Sequence, residues 1–199
     1  MKIIADCKPI NISSGIQTIR NASRSMLLIS IYLAGTAIGC VVYIQSDTVR
    51  EFFNNAVLKS VYTDLSLTEL ICGSFTAALA CCAVLFGAGL SLTGYPLSYA
   101  FQFLFGAFSG LFFLGTVSSE MPLSVIKTLL MIPLFCVGAC CTLSMSEYAA
   151  DMTGMLTGKR SREADEWKKY TVRFLILTAA TVLSAILQSF FILFFRHLN

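Results

Sequence analysis

Five long runs of apolar residues, separated by shorter polar segments, dominate the pattern of this chain. The runs cover residues 26–45, 70–92, 96–117, 124–146 and 172–195, and they are apolar on every face. A helix of about 20 residues spans the roughly 30 Å hydrocarbon layer of a bilayer, whereas membrane-spanning strands alternate in polarity over about ten residues. The pattern predicts an all-α fold, a polytopic integral membrane bundle of five transmembrane helices.

The composition agrees with a protein that lies mostly in lipid. Only 13% of the 199 residues are charged and 56% are hydrophobic, whereas soluble domains contain about 25% charged residues. The first apolar run is too long for the core of a secretory signal and is followed by no small-residue cleavage site. We therefore expect this run to stay in the membrane as an anchor.

The distribution of Lys and Arg predicts the orientation of the bundle. With five spans, ten of the 14 basic residues fall on the side of the N-terminus. The positive-inside rule then places the N-terminus in the cytoplasm and the C-terminus outside. We expect a cytoplasmic N-terminal tail over residues 1–25 and a transmembrane domain over 26–199, with an outer loop at 47–66 and a basic cytoplasmic loop at 147–171.

Both of these loops contain a helical pattern. In the outer loop, Val49, Phe53, Val57 and Val61 recur at helical spacing, which predicts an amphipathic helix at the membrane surface. Its apolar stripe fits packing on the bundle, which we favour, or docking of a partner. In the cytoplasmic loop, acidic residues alternate with the basic ones, which predicts a solvated helix face and no nucleic-acid partner.

Small residues inside the runs indicate where helices pack. Gly106 and Gly110 form a GxxxG motif with Ser109 beside them, and Gly35 and Gly39 form another in the first span. Helix association in lipid depends on close approach of the backbones, which small residues permit. We expect both motifs to be helix-packing faces.

Gly94 and Pro96 predict a tight hairpin between the second and third spans. The glycine allows a sharp reversal, and the missing N–H of a proline costs nothing in the first turn of a helix. A third residue, Pro133, lies in the middle of the fourth span. A proline there removes a helical hydrogen bond, so we expect a kink at this position.

Ionisable residues are scarce in the runs. Glu69 and Lys127 both fall at the outer end of the bundle, where we expect an interfacial ion pair and keep a substrate or ion site as the alternative. Glu147 and Asp151 lie at the inner end of the fourth span and are expected to be solvated. The single histidine, His197, has no obvious partners for a catalytic or metal site.

Cysteine is abundant, and seven of the eight fall inside predicted spans. Cys136 and Cys140 share a helix face, and Cys81 or Cys82 could join them in a site for a soft metal. We favour the interpretation that these cysteines are small packing residues, because no CxxC or Cys-His pattern accompanies them. The sequence thus predicts no catalytic residue, no metal and no cofactor.

The motif formed by Gly94, Pro96, Gly106 and Gly110 resembles the integral-membrane family of stage II sporulation protein M. In that family, a G-x-P hairpin opens a middle span, and glycines follow ten and fourteen residues after the proline. A length near 200 residues, five spans, a polar loop after the first span and a basic loop before the last are also similar. Many relatives carry His, Glu or Asn beside a proline in the fourth span, whereas this chain has only Pro133.

The resemblance implies a non-enzymatic scaffold in a bacterial cell membrane, at the sporulation septum or the engulfing membrane. Its packing faces and outer loop would recruit stage II sporulation proteins D and P, which trim peptidoglycan while the forespore is engulfed. Membrane lipid and a second copy of the chain are further expected partners. The alternative is a permease or transporter component, in which Glu69, Lys127, the glycine-rich third span and the kinked fourth span line a path.

Overall fold

A computed structural model describes residues 12–55, 66–118, 124–156 and 164–197. These residues form six helices and no strand. In chain order, the helices are α1 (Ile12–Gln45), α2 (Asp47–Phe52), α3 (Leu67–Gly89), α4 (Gly94–Ser118), α5 (Ser124–Leu156) and α6 (Ala164–His197).

Five of the six helices, all except α2, are long and apolar enough to cross a membrane. The prediction of an all-α bundle with five spans is therefore confirmed. The helices extend beyond the predicted spans: α1 begins at Ile12, α5 continues to Leu156 and α6 begins at Ala164. Much of the polar sequence at one end of the bundle is therefore helical, and it continues the packing of the spans rather than forming loops.

Within the bundle, α1, α4 and α6 run in one direction, and α3 and α5 run in the other. Helix α5 is central, since it packs against α3, α4 and α6 and also touches α1, while α1 packs mainly on α4. We name the two ends by their connections. The hairpin end contains the short turn between α3 and α4, and the α2 end is the opposite end.

The turn at the hairpin end consists of residues 90–93. The amide of Leu90 donates to the carbonyl of Gly87 at 3.1 Å, and the amide of Gly94 donates to the carbonyl of Ser91 at 3.2 Å. Gly94 is therefore not in the reversal itself but is the first residue of α4. A Cβ at Gly94 would collide with the carbonyl oxygen of Ala88, so this position keeps α3 and α4 in contact. Pro96 falls in the first turn of α4, as its missing donor allows.

In the described part of the chain, buried apolar residues form two core clusters, one near each end of the bundle. The cluster at the α2 end consists of Tyr43, Phe53, Leu70, Phe112, Met131 and Ile192. The cluster at the hairpin end consists of Cys82, Leu85, Met145, Met152, Tyr170 and Phe174. In this second cluster, the ring of Tyr170 stacks on that of Phe86, and its hydroxyl donates to the carbonyl of Phe86 at 3.2 Å.

Helix α2 is tied to the α2 end of the bundle. Ser46 caps its N-terminus by accepting a hydrogen bond from the amide of Val49 at 3.4 Å. Phe53 is only 4% exposed, and the hydroxyl of Tyr43 donates to Asn54 Oδ1 at 2.9 Å. The predicted stripe is thus buried in the bundle at Phe53 and half-buried at Val49, while its other members, Val57 and Val61, lie outside the described residues.

Candidate functional site

The two GxxxG motifs face each other across the contact between α1 and α4. Gly35 lies against the backbone of Phe103 and Ala107, and Gly106 lies against the backbone of Tyr32. Gly39 and Gly110 repeat this contact one turn along each helix. A Cβ at any of these four glycines would collide with a backbone carbonyl of the opposite helix. The two helices therefore approach each other as closely as their backbones allow.

This close contact uses the glycine faces inside one chain. The thiol of Cys40 also lies 3.6 Å from the carbonyl of Gly110, and the hydroxyl of Ser109 donates to the carbonyl of Phe105 at 2.8 Å. The family resemblance implied that these faces recruit partners. Because α1 covers the α4 motif, this glycine face is not free to bind a partner protein.

A polar cluster joins α1 to α5 at the hairpin end. Arg24 Nη1 lies 2.6 Å from Asp151 Oδ1, and these side chains are 25% and 22% exposed. Ser25 donates to Glu147 Oε1 at 3.0 Å, and the Arg24 guanidinium lies 5.5 Å from the ring centre of Tyr95. The expectation that Glu147 and Asp151 are solvated is wrong. Both helices extend past the apolar spans, so their polar ends lie side by side and bond to each other.

A second polar group lies deep in the bundle between α4 and α5. Gln102 and Ser146 are both fully buried, and Gln102 Nε2 donates to Ser146 Oγ at 2.7 Å. Gln102 Oε1 and the hydroxyl of Ser98, one turn away on α4, have no hydrogen-bond partner among the described residues. Gln102 is not among the site residues predicted from the sequence, because the prediction considered only charged residues in the spans. A glutamine inside an apolar run is nevertheless a signal of the same kind.

A cavity of about 630 Å³ lies between α3 and α4, in the half of the bundle near the α2 end. We call it the α3–α4 crevice. Its walls come from one face of each helix, over residues 69–81 of α3 and 101–112 of α4. Its floor comes from α5 and α6, including Met131, Phe135, Thr142, Thr181, Ser184 and Ile192.

The crevice opens sideways, toward the surface that faces lipid. Gly73 and Ala77 on α3, and Leu104 and Phe108 on α4, are exposed at its mouth. The floor residues are buried or half-buried. Helices α3 and α4 are held together at the hairpin end by the turn and by Gly94. Nearer the α2 end, the crevice lies between them.

Glu69 lies at the α2 end of the crevice and is bonded to the start of its own helix. Its Oε2 accepts hydrogen bonds from the amide of Ser66 at 2.8 Å and from the hydroxyl of Ser66 at 2.7 Å. Lys127 belongs to α5, but its side chain lies outside the described residues, so the ion pair with Glu69 stays a prediction.

Helix α5 continues through Pro133 as one helix.

No group of three or more His, Cys, Asp or Glu residues that could hold a metal ion occurs in the described part of the chain. Cys136 and Cys140 are exposed, whereas Cys82 and Cys141 are buried. The packing interpretation of Cys82 fits its place in the apolar cluster at the hairpin end.

The candidate site therefore has three parts: the α1–α4 glycine contact, the polar cluster at the hairpin end and the α3–α4 crevice. The first two hold helices together, and the crevice is open to a ligand. No protein-family model, curated protein or solved structure matches this chain.

Proposed function

We propose that this protein is a non-enzymatic membrane scaffold that presents a fixed surface to partner proteins at its α2 end. The observation that carries the proposal is the attachment of α2 to the bundle. One side of this short helix is anchored through Phe53 and Asn54, and its other side is exposed.

The exposed side of α2 has the composition of a protein-binding surface. Phe52 is 67% exposed, although the neighbouring Phe53 is buried in the core. Asp47 and Arg50 form an exposed ion pair at 2.6 Å on the same helix. An exposed aromatic residue surrounded by charged residues is typical of the centre and rim of a protein interface.

The bundle beneath α2 is suited to hold this surface in place. Helix α1 leads directly into α2 through Ser46, and α1 is locked to α4 by the glycine contact. The position of α2 is therefore coupled to a helix pair with little freedom to separate. A surface that is already fixed loses less conformational entropy when a partner binds to it.

The identity of the partner follows from the family resemblance. The motif of Gly94, Pro96, Gly106 and Gly110 resembles stage II sporulation protein M, which implies stage II sporulation proteins D and P as partners. The scaffold would then act in a bacterial cell membrane at the sporulation septum or the engulfing membrane. The predicted orientation, with the α2 end outside, supports this assignment because peptidoglycan lies on that side.

The permease alternative has one supporting observation, the buried and partly unpaired amide of Gln102. A transport path would have to pass from the crevice through the hairpin end of the bundle. That end is filled by the second apolar cluster, in which Leu85 and Met145 are fully buried. We therefore favour the scaffold.

Site-specific photo-cross-linking tests the proposal. A photo-reactive amino acid is placed at Phe52 in the full chain, and the matched control carries it at Leu92, which is 74% exposed at the hairpin end. We expect a discrete protein adduct from position 52 in sporulating cells, containing a peptidoglycan-remodelling enzyme, and no such adduct from position 92. Equal capture at both positions, or capture at neither, contradicts the proposal.

A further inference from the structure

We propose that the α3–α4 crevice binds one acyl chain of a membrane phospholipid. This inference goes beyond the scaffold function, because it assigns a ligand to a part of the bundle that the scaffold does not use. It depends on the size of the crevice, the chemistry of its lining and the position of its mouth.

The dimensions of the crevice fit an extended hydrocarbon chain. Its lining residues on α4 run from Phe101 to Phe112, which is about 17 Å along the helix axis and close to the roughly 15 Å of hydrocarbon in one leaflet.

The volume is also large enough for a sizeable ligand. An apolar cavity of about 150 Å³ in a protein stays dry and binds one benzene ring. The crevice is about four times larger and lies within the range of about 300–1,000 Å³ found for ligand pockets.

The lining offers hydrocarbon and little free hydrogen-bonding capacity. The aromatic and aliphatic side chains of Phe101, Phe105, Phe108 and Leu104 form the α4 wall. Every lining hydroxyl among the described residues already takes part in a hydrogen bond within the protein. These bonds join Ser74 to Ser189 (2.8 Å), Ser109 to Phe105 (2.8 Å), Thr142 to Ala139 (3.0 Å), Thr181 to Leu177 (2.8 Å) and Ser184 to Leu134 (2.9 Å).

Bonded hydroxyls do not favour a polar solute, because such a ligand would lose its water without gaining partners. The two lining residues with other polar groups, Glu69 and Gln188, occur toward the α2 end. The opposite end is lined by Cys81 and Phe101. A lipid would therefore enter through the sideways mouth with its headgroup at the α2 end and its terminal methyl group near Cys81.

Two glycines of α3 give a matched pair of variants for testing this site. A Cβ at either Gly73 or Gly87 has open space around it, with no atom within 4 Å. Gly73 lines the crevice, whereas Gly87 does not. Gly73→Phe thus fills the crevice, and Gly87→Phe adds the same side chain to an exposed position of the same helix.

The assay uses the full chain in liposomes of phosphatidylethanolamine and phosphatidylglycerol that contain a phospholipid with a diazirine on one acyl chain. After illumination, mass spectrometry locates the adducts. We expect labelling within residues 69–81 and 101–112 to exceed labelling of the exposed face of α1 by about tenfold. Gly73→Phe should lower this labelling about tenfold, and Gly87→Phe should leave it unchanged.

Three results would overturn the proposal. The first is equal labelling of the crevice and the α1 face in the unaltered chain, a comparison that needs no variant. The second is undiminished crevice labelling in Gly73→Phe, or in Ala77→Leu if the larger substitution prevents folding. The third is a covalent adduct between two copies of the chain from a photo-reactive amino acid at Ala77, which would identify a second copy as the occupant.

Discussion

Replacing Gly106 by Ala should destabilise the bundle although it adds only one methyl group. The new Cβ would collide with the carbonyl oxygen of Tyr32 and lie 3.2 Å from the amide nitrogen of Thr36. Both atoms belong to the backbone of α1, so no side-chain rotation relieves the contact. The helices have to separate, and a gap of about 1 Å forfeits a quarter to a half of the dispersion energy of the atoms involved.

Gly106→Ala should lower the free energy of unfolding by about 2 kcal/mol, within the range of roughly 1–3 kcal/mol for overpacking a close contact. That corresponds to about a 30-fold change in the ratio of folded to unfolded protein. Gly87→Ala is the matched control, because it makes the same chemical change in a helix with open space around the new Cβ. Both variants gain the same helix propensity of up to about 1 kcal/mol, so their difference isolates the collision.

This difference is measured by unfolding both variants with sodium dodecyl sulfate in mixed micelles and recording the loss of helix by far-ultraviolet circular dichroism. A double variant, Gly35→Ala with Gly106→Ala, should lose less stability than the sum of the single losses, because both changes separate the same two helices. If Gly106→Ala and Gly87→Ala unfold at the same detergent fraction, the glycine contact does not hold α1 against α4.

Two further predictions concern the two ends of the bundle. Asp151→Asn should lower the free energy of unfolding by about 1–2 kcal/mol, because its partner Arg24 is mostly buried and would keep an unpaired charge. A double-mutant cycle with Arg24→Gln should show most of this loss as coupling between the two residues. Strictly additive losses would contradict a stabilising ion pair. Phe53→Ala should free α2 from the bundle and increase proteolysis near residue 53 at least several-fold, whereas Phe52→Ala should leave proteolysis unchanged because that ring is exposed. Equal proteolysis of the two variants would show that Phe53 does not anchor α2.

The architecture could be predicted from the sequence because lipid imposes strong local rules. A helix that crosses a bilayer must be long and apolar, so the five spans follow from run length alone. The GxxxG motifs of the first and third spans could likewise be recognised as packing faces. The residues alone did not reveal that these two faces meet, because the pairing depends on how five helices are arranged around α5.

The features that the sequence analysis missed depend on contacts between distant parts of the chain. Asp151 was expected to be solvated because it lies at the inner end of the fourth span. It is mostly buried because Arg24, 127 positions earlier, extends from a helix that continues past its span. The crevice has no local signature at all, since it results from the separation of α3 and α4 away from their shared turn.

The pairing of α1 with α4 imposes an order on biogenesis. The ribosome completes Gly39 well before Gly110, and at about 5–20 residues per second the intervening chain takes roughly 4–14 s to synthesise. During this interval α1 enters the bilayer with its glycine face in contact with lipid or with the insertion machinery. Its native partner is the third of the described spans to be translated, so the final bundle can close only after α4 has been inserted.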